Sequence, residues 1–534
     1  MLDYLIKNAA ILDGTGAKAY TGCLGIQDGR IRLCSASAAA RQVIEADGLH
    51  VSPGFIDAHS HGDQVIGQYP MMLSKVSQGI TTQIAGQCGG SIFPVSPERI
   101  GLLKDFASIG TYEFPAEMAE WTSFRKFSAY ADRTPMVVNM KTFTGHSSLR
   151  IAVMGFDERA PSAEEMGRMK DLLRESMENG SMGLSTGLIY PPGSYSRTEE
   201  LVELAKVIQP YGGIYASHIR GESGRVEDAV REALEIGRQA GVPVEISHHK
   251  ICGRQNFGKS EKTLALIQEA IKQGGRVTID QYPYTANSTH MNIVIPPDYF
   301  EKGGVEGMLA FLRDPEARKD IRRRMQQDSS YDNFYLNAGG FSGILISGCA
   351  KTPEADGLTV SEYARRKGQE AFDAFFDLLL ANDGKVNGVF FCIDEGDNCR
   401  IIQDPNACIG TDGTCRTLAE QTHPRTFGAF PRAIRRYVKE LGLLSLEEMI
   451  HKITGFAAER CGLYDRGVIA EGKAADLVVF DFAALRDAAD YTNSLALSEG
   501  IRYVFVNGQL AYQDGAVTEA RAGKFLRHQG IGLG

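Results

Sequence analysis

The chain has 534 residues, 43% of them hydrophobic and 23% charged, with a formal net charge of −9 at pH 7. That balance belongs to an ordered globular protein, lacks the basic field that a nucleic acid partner needs, and offers no run near the ~20 apolar residues of a membrane span. Ten cysteines without CxxC spacing, in a chain this long, suit reduced thiols and a cytoplasmic setting; the start shows no basic region followed by a long apolar run, so no signal peptide is expected.

The first fifty residues read as short strands, "YLIKNAAIL", "GCLGIQDGRIRLCS" and "QVIEADGLHVSPG", with hairpin signals at Asp28-Gly29 and Asp47-Gly48. The far end has the same texture, "GVIAEGKAADLVVFDF" and "IRYVFVNGQLAYQDGAV", with a turn at Asn507-Gly508. Both termini are therefore expected to build one small sheet domain.

The middle alternates. "GFIDAHSH", "TTQIAGQC", "PMVVNMKTFTGH", "SMGLSTGLIY", "GGIYASH", "VPVEISHH", "RVTIDQYPY" and "ACIGTDG" make eight strand candidates. In "RVEDAVREALEIGRQAG", Val226, Ala229, Val230, Ala233, Leu234 and Gly237 recur at helical spacing, Glu227 and Arg231 form an i,i+4 pair, and Gly241 is the stop. "SEKTLALIQEAIKQGG" repeats the plan with Ser260 as N-cap and Gly274 as stop. Such alternation predicts an α/β fold with parallel strands and right-handed crossovers, and eight strands favour a closed (β/α)8 barrel of TIM type. The rhythm breaks at about 285–347, which reads as an inserted excursion after the seventh strand.

Chemistry gathers at the strand ends. His59 and His61 follow the first strand, Cys88 the second, His218 the fifth, His248 the sixth and Asp412 the eighth. Singly, each has a plain reading as a loop, core or turn residue. In a (β/α)8 barrel, however, these ends converge on one mouth, and imidazole, thiolate and carboxylate are the donors that suit Zn2+.

"GFIDAHSH", "EGKAADLVVFD" and the eighth-strand aspartate resemble the amidohydrolase superfamily. "GQCGG", "SHIRGE", "EISHHK", "DQYPYTA" and "HPRTFGAFPR" resemble, within it, the D-aminoacylase (N-acyl-D-amino-acid deacylase) family, over nearly the whole chain. The resemblance implies a barrel (residues 55–464) plus a small β-sandwich from residues 1–54 and 465–534. It implies zinc held tightly by Cys88, His218 and His248, with a second, weaker position at His59 and His61 that shares Cys88. The fourth strand lacks the lysine with which many relatives bridge two metals, so the thiolate would bridge instead. Asp412 would be general base and acid in hydrolysis of an N-acyl-D-amino acid, and Lys250, Arg425 and Tyr190, with Tyr282 or Tyr284, would bind the substrate. His249 stands as a fallback for His248, and His146 at the third strand could touch the site or satisfy the core. Nothing in the sequence sets an oligomeric state. The alternative activities are a cyclic-amide hydrolase or a non-catalytic barrel; the absent lysine and the cysteine argue against the first, and retention of all six donors against the second. The loop "TDGTCRTLAEQTHPR" departs from the family's usual stretch, and βα loops shape pockets.

Overall fold

The computed structural model describes residues 1–107, 114–301, 303–419 and 421–530. Two all-parallel sheets organise the middle. One runs Ala407–Ile409, Val277–Gln281, Val244–Ile246, Ile214–His218, Gly183–Gly187, Thr144–Gly145; the other runs Phe55–Asp57, Ile80–Ala85, Asn139–Thr142. The third candidate strand contributes to both, broken only at Phe143. First and last parallel strands also meet: Ala58 N donates to Ile409 O at 3.3 Å and Asp412 N to His59 O at 2.8 Å. Buried Lys75 ties them further, reaching Asp57 and Thr411 at 2.8 Å each.

The helix at Val226–Ala240 buries Val226, Ala229, Val230, Ala233 and Gly237 of the expected stripe, with Leu234 half-buried and Ile236 buried beside them. Gly241 ends the helix with φ of 68°, a conformation glycine adopts without Cβ strain. Its expected Glu227–Arg231 pair is not made: Arg231 lies 4.0 Å from Asp228 and Glu227 3.5 Å from Lys262. Exposed pairs of this kind exchange partners at little cost. Ser260 is the first residue of its helix rather than the cap, because its hydroxyl is drawn to the buried Asp397 carboxylate.

Strands from the two ends of the chain join in one nine-stranded sheet, in which His50–Pro53 pairs with Leu477–Phe480. Asp28-Gly29 and Asn507-Gly508 make hairpins with positive φ at both residues, as a two-residue turn of matching twist requires. Asp47-Gly48 does not. The strands flanking it both run parallel to Leu2–Ile11, so the chain steps sideways and continues instead of doubling back.

Between Gln281 and Ala407 stand a three-stranded antiparallel sheet (Asn287–His290, Ile344–Ser347, Asn387–Phe390) and several helices. The excursion thus passes its expected end near 347. The helices Val360–Lys367 and Ala371–Ala381 and the strand after them imitate the βα rhythm of the main fold. No helix among the described residues is long and apolar enough to cross a membrane.

Candidate metal centre

The strand ends bring the polar side chains to one cavity of about 680 Å³, lined by His61, Cys88, Tyr190, His218, His248, Lys250, Tyr282, Asp412 and Arg425 among others. Cys88 Sγ lies 3.3 Å from His59 Nε2 and 3.2 Å from His248 Nε2. Donor atoms of His59, Cys88, His248 and Asp412 fall within 4.8 Å of one another, and those of His218, Glu222 and His248 form a second such group. His248 is common to both. His61 joins through Asp412, its Nε2 3.1 Å from Oδ1. His218 packs its ring 4.3 Å from that of His248, and its nearer nitrogen is 3.6 Å from Glu222 Oε1.

Three buried imidazole nitrogens here, both of His218 and Nδ1 of His61, make no hydrogen bond among the described residues. Buried polar atoms without partners are costly, and each neutral imidazole keeps one lone pair that a divalent cation would satisfy. Burial holds His59, His218 and His248 below the ordinary histidine range, leaving them neutral and ready to coordinate. Burial, then the Asp412 charge, pushes the Cys88 thiol well up; a cation held here would favour the thiolate instead. Burial also acts to raise Asp412, but the Arg425 guanidinium and the His61 hydrogen bond outweigh it and hold the carboxyl well below its usual range.

Arg425 Nη1 is 2.8 Å from Asp412 Oδ2, its Nη2 donates to Ser288 O at 3.1 Å, and the guanidinium sits 4.6 Å over the Tyr282 ring. Lys250 Nζ lies 5.5 Å from the same ring. Tyr190 OH bonds Thr289 Oγ1 at 3.1 Å, and the Tyr282 hydroxyl is buried with no hydrogen-bond partner among the described residues. Tyr284 instead sits under Arg432 with its hydroxyl on Pro424 O. His249 turns away to Thr263 at 2.8 Å, and His146 is a core residue bonded to Glu200 at 2.8 Å.

Two residues here escaped the sequence reading. Asp280 accepts from His248 N at 2.8 Å and sits 3.0 Å from His59 Nδ1, orienting that ring. Glu222 faces His218, His248 and Lys250. Their only sequence signals are an acid opening "DQYPY" and one closing "SHIRGE".

A parallel α/β fold with imidazoles, a thiol and a carboxylate gathered at its strand ends has the build of a metal-dependent hydrolase. The chain belongs to the amidohydrolase family, whose model matches residues 42–329 and 399–512, and within it to the D-aminoacylases. It is 35% identical to a D-aminoacylase of Alcaligenes xylosoxydans xylosoxydans over 98% of this chain and 97% of that one. It is 34% identical to an N-acyl-D-aspartate deacylase of the same organism, over 98% and 95%. The structure of N-acyl-D-glutamate deacylase from Bordetella bronchiseptica, complexed with zinc and a phosphonate mimic of the tetrahedral intermediate, superposes with a TM-score of 0.82 at 33% identity, covering 98% of this chain and 99% of that one. The internal unmatched interval, 330–398, falls within the excursion.

Proposed function

We propose that the protein hydrolyses the amide bond of N-acyl-D-amino acids, releasing a carboxylate and a D-amino acid, with zinc as cofactor. The observation that carries this reading is Cys88 Sγ, in reach of His59 and His248 and grouped with Asp412. Cys88, His218 and His248 would hold the tight ion, and His59 and His61, sharing Cys88, a weaker second one. When bound, zinc supplies a Lewis acid that polarises an acyl carbonyl and acidifies water.

The chain's own residues supply the rest. Asp412 takes the proton of the attacking water and returns it to the departing amine; His61 and Arg425 fix its two oxygens. Arg425, Lys250, Tyr190 and Tyr282 receive the α-carboxylate, Arg425 through a two-toothed fork. A substrate carboxylate competes with Asp412 for Arg425, so substrate arrival itself makes Asp412 a stronger base.

The two parallel sheets are read as one closed eight-stranded barrel, which the Ala58–Ile409, Asp412–His59 and Lys75 bonds support. The terminal sheet is read as a β-sandwich domain of residues 1–54 and 465–534 against a barrel domain of 55–464. Ten free thiols support a reducing, cytoplasmic setting.

Kinetics on N-acetyl-D- and N-acetyl-L-amino acids beside hydantoins and dihydroorotate test the substrate class. Turnover confined to the D-configured linear amides is expected, and turnover confined to the cyclic ones sinks it. Asp412→Asn is expected to keep its zinc and lose about 10²–10⁴-fold in kcat; normal turnover removes Asp412 from its role.

A further inference from the structure

Glu222 is buried on the turn that leaves the strand Ile214–His218. That turn is fixed from two sides: Asp332, from the excursion, accepts from Glu222 N at 2.8 Å, and Glu222 O accepts from Cys252 N at 2.7 Å. The side chain stands between a candidate metal ligand and a candidate substrate anchor. Its Oε1 is 3.3 Å from His248 Nδ1, and it forms an ion pair with Lys250 Nζ.

The far nitrogen of His248, Nε2, faces Cys88 Sγ at 3.2 Å. An imidazole that coordinates through Nε2 carries its proton on Nδ1 and needs an acceptor there. As the structure stands, Lys250 Nζ donates to Nδ1 at 2.9 Å. With zinc on Nε2 it would be left to its bonds with Glu222 and His248 O, because an ammonium only donates and cannot take the proton that Nδ1 would then carry. Glu222 can. Its second duty follows from charge: a buried lysine keeps its proton only beside an anion, and Glu222 is the carboxylate in contact with Lys250.

We propose that Glu222 is a positioning residue that serves both ends of the site. Its carboxylate accepts the His248 Nδ1 proton, setting the ring to bind zinc through Nε2, and its charge holds the Lys250 ammonium at the α-carboxylate subsite. This rests on the reading of His248 as a zinc ligand and of Lys250 as an anchor.

Two substitutions separate the duties. Glu222→Gln keeps an oxygen acceptor and drops the charge; Glu222→Ala drops both. By competition with a chromogenic chelator, zinc affinity is expected to fall about 10–100-fold in Glu222→Ala and by no more than about threefold in Glu222→Gln. KM for an N-acyl-D-amino acid is expected to rise about tenfold in Glu222→Gln with a smaller change in kcat. Lys250→Met raises KM as well, and the double variant is expected to add less than the two effects combined, because both remove one interaction. Wild-type zinc affinity in Glu222→Ala, wild-type KM in Glu222→Gln, or full additivity in the double variant overturns the proposal. If Glu222→Ala does not fold, the Gln variant and the double-variant comparison decide it. Wild-type protein that takes up no zinc overturns the metal reading instead, so the two failures are distinct.

Discussion

Cys88, His248 and Asp412 hold φ of 54°, 34° and 47°, a region that non-glycine residues seldom occupy and that gathers at functional sites. The backbone around Cys88 is crowded to keep it there. A Cβ on Gly187 would stand 2.2 Å from the Cys88 carbonyl oxygen, so Gly187→Ala must push the Cys88 turn aside. The expected result is zinc binding weakened about tenfold or more, with about 1–3 kcal/mol of stability lost to overpacking. Gly167→Ala is the control: a Cβ there meets nothing within 4 Å and, inside a helix, gains about 0.5–1 kcal/mol. Chelator competition and denaturant melts read both, and wild-type zinc affinity in Gly187→Ala refutes the account. At this scale the sequence was readable where chemistry is rare. A cysteine and four histidines at strand ends stand out, whereas Glu222 and Asp280 are two acids among 66, and their partners are settled only by folding.

Elements were legible where a local period wrote them. The stripe from Val226 to Gly237 buries as its spacing requires except for the half-buried Leu234, and two of three turn dipeptides make hairpins. What local pattern does not encode is the partner: Asp47-Gly48 turns correctly but joins strands that never pair. Buried ion pairs between elements share that property. Arg150 Nη1, on the helix His146–Val153, donates to both oxygens of Glu200, on the helix Thr198–Ile208, at 2.8 and 2.7 Å, and His146 adds a third bond. Burial acts to raise the Glu200 pKa, but His146 and Arg150 outweigh it and the carboxyl is depressed. A carboxyl depressed in the folded state contributes stability that is present above its unfolded value, near 4.5, and lost as pH falls through the folded value below that. Glu200→Gln is therefore expected to cost about 3–5 kcal/mol at neutral pH, by stranding a buried guanidinium, and to flatten the acid limb of the thermal midpoint against pH. A variant whose acid limb matches the wild type's shows that other carboxyls set it.

Across the whole molecule, contacts between remote segments were the hardest to read. The end of the excursion is hidden from local pattern because its later helices and its strand Asn387–Phe390 copy the rhythm of the parallel strands. Likewise, nothing local says that Asn139, on a central parallel strand, donates to Asp476 at 3.0 Å and accepts from Asn507 at 2.8 Å, tying the terminal sheet to the middle. The candidate ligands have the same reach. His59, Cys88, His218 and His248 sit on four strands or their ends, spread over 190 residues of chain, and no unfolded chain holds them together. An ion that binds only the assembled cluster stabilises the fold by about 2.7 kcal/mol at a free concentration a hundredfold above its dissociation constant. Stripping zinc with a chelator is thus expected to lower the thermal midpoint by about 2–5 °C, and restoring zinc to recover it. In Cys88→Ser, which loses the shared sulfur, the midpoint should start lower and respond little to chelator or zinc. A wild-type midpoint indifferent to the chelator means that no ion joins these strands, and a Cys88→Ser protein as responsive as the wild type places the ion elsewhere.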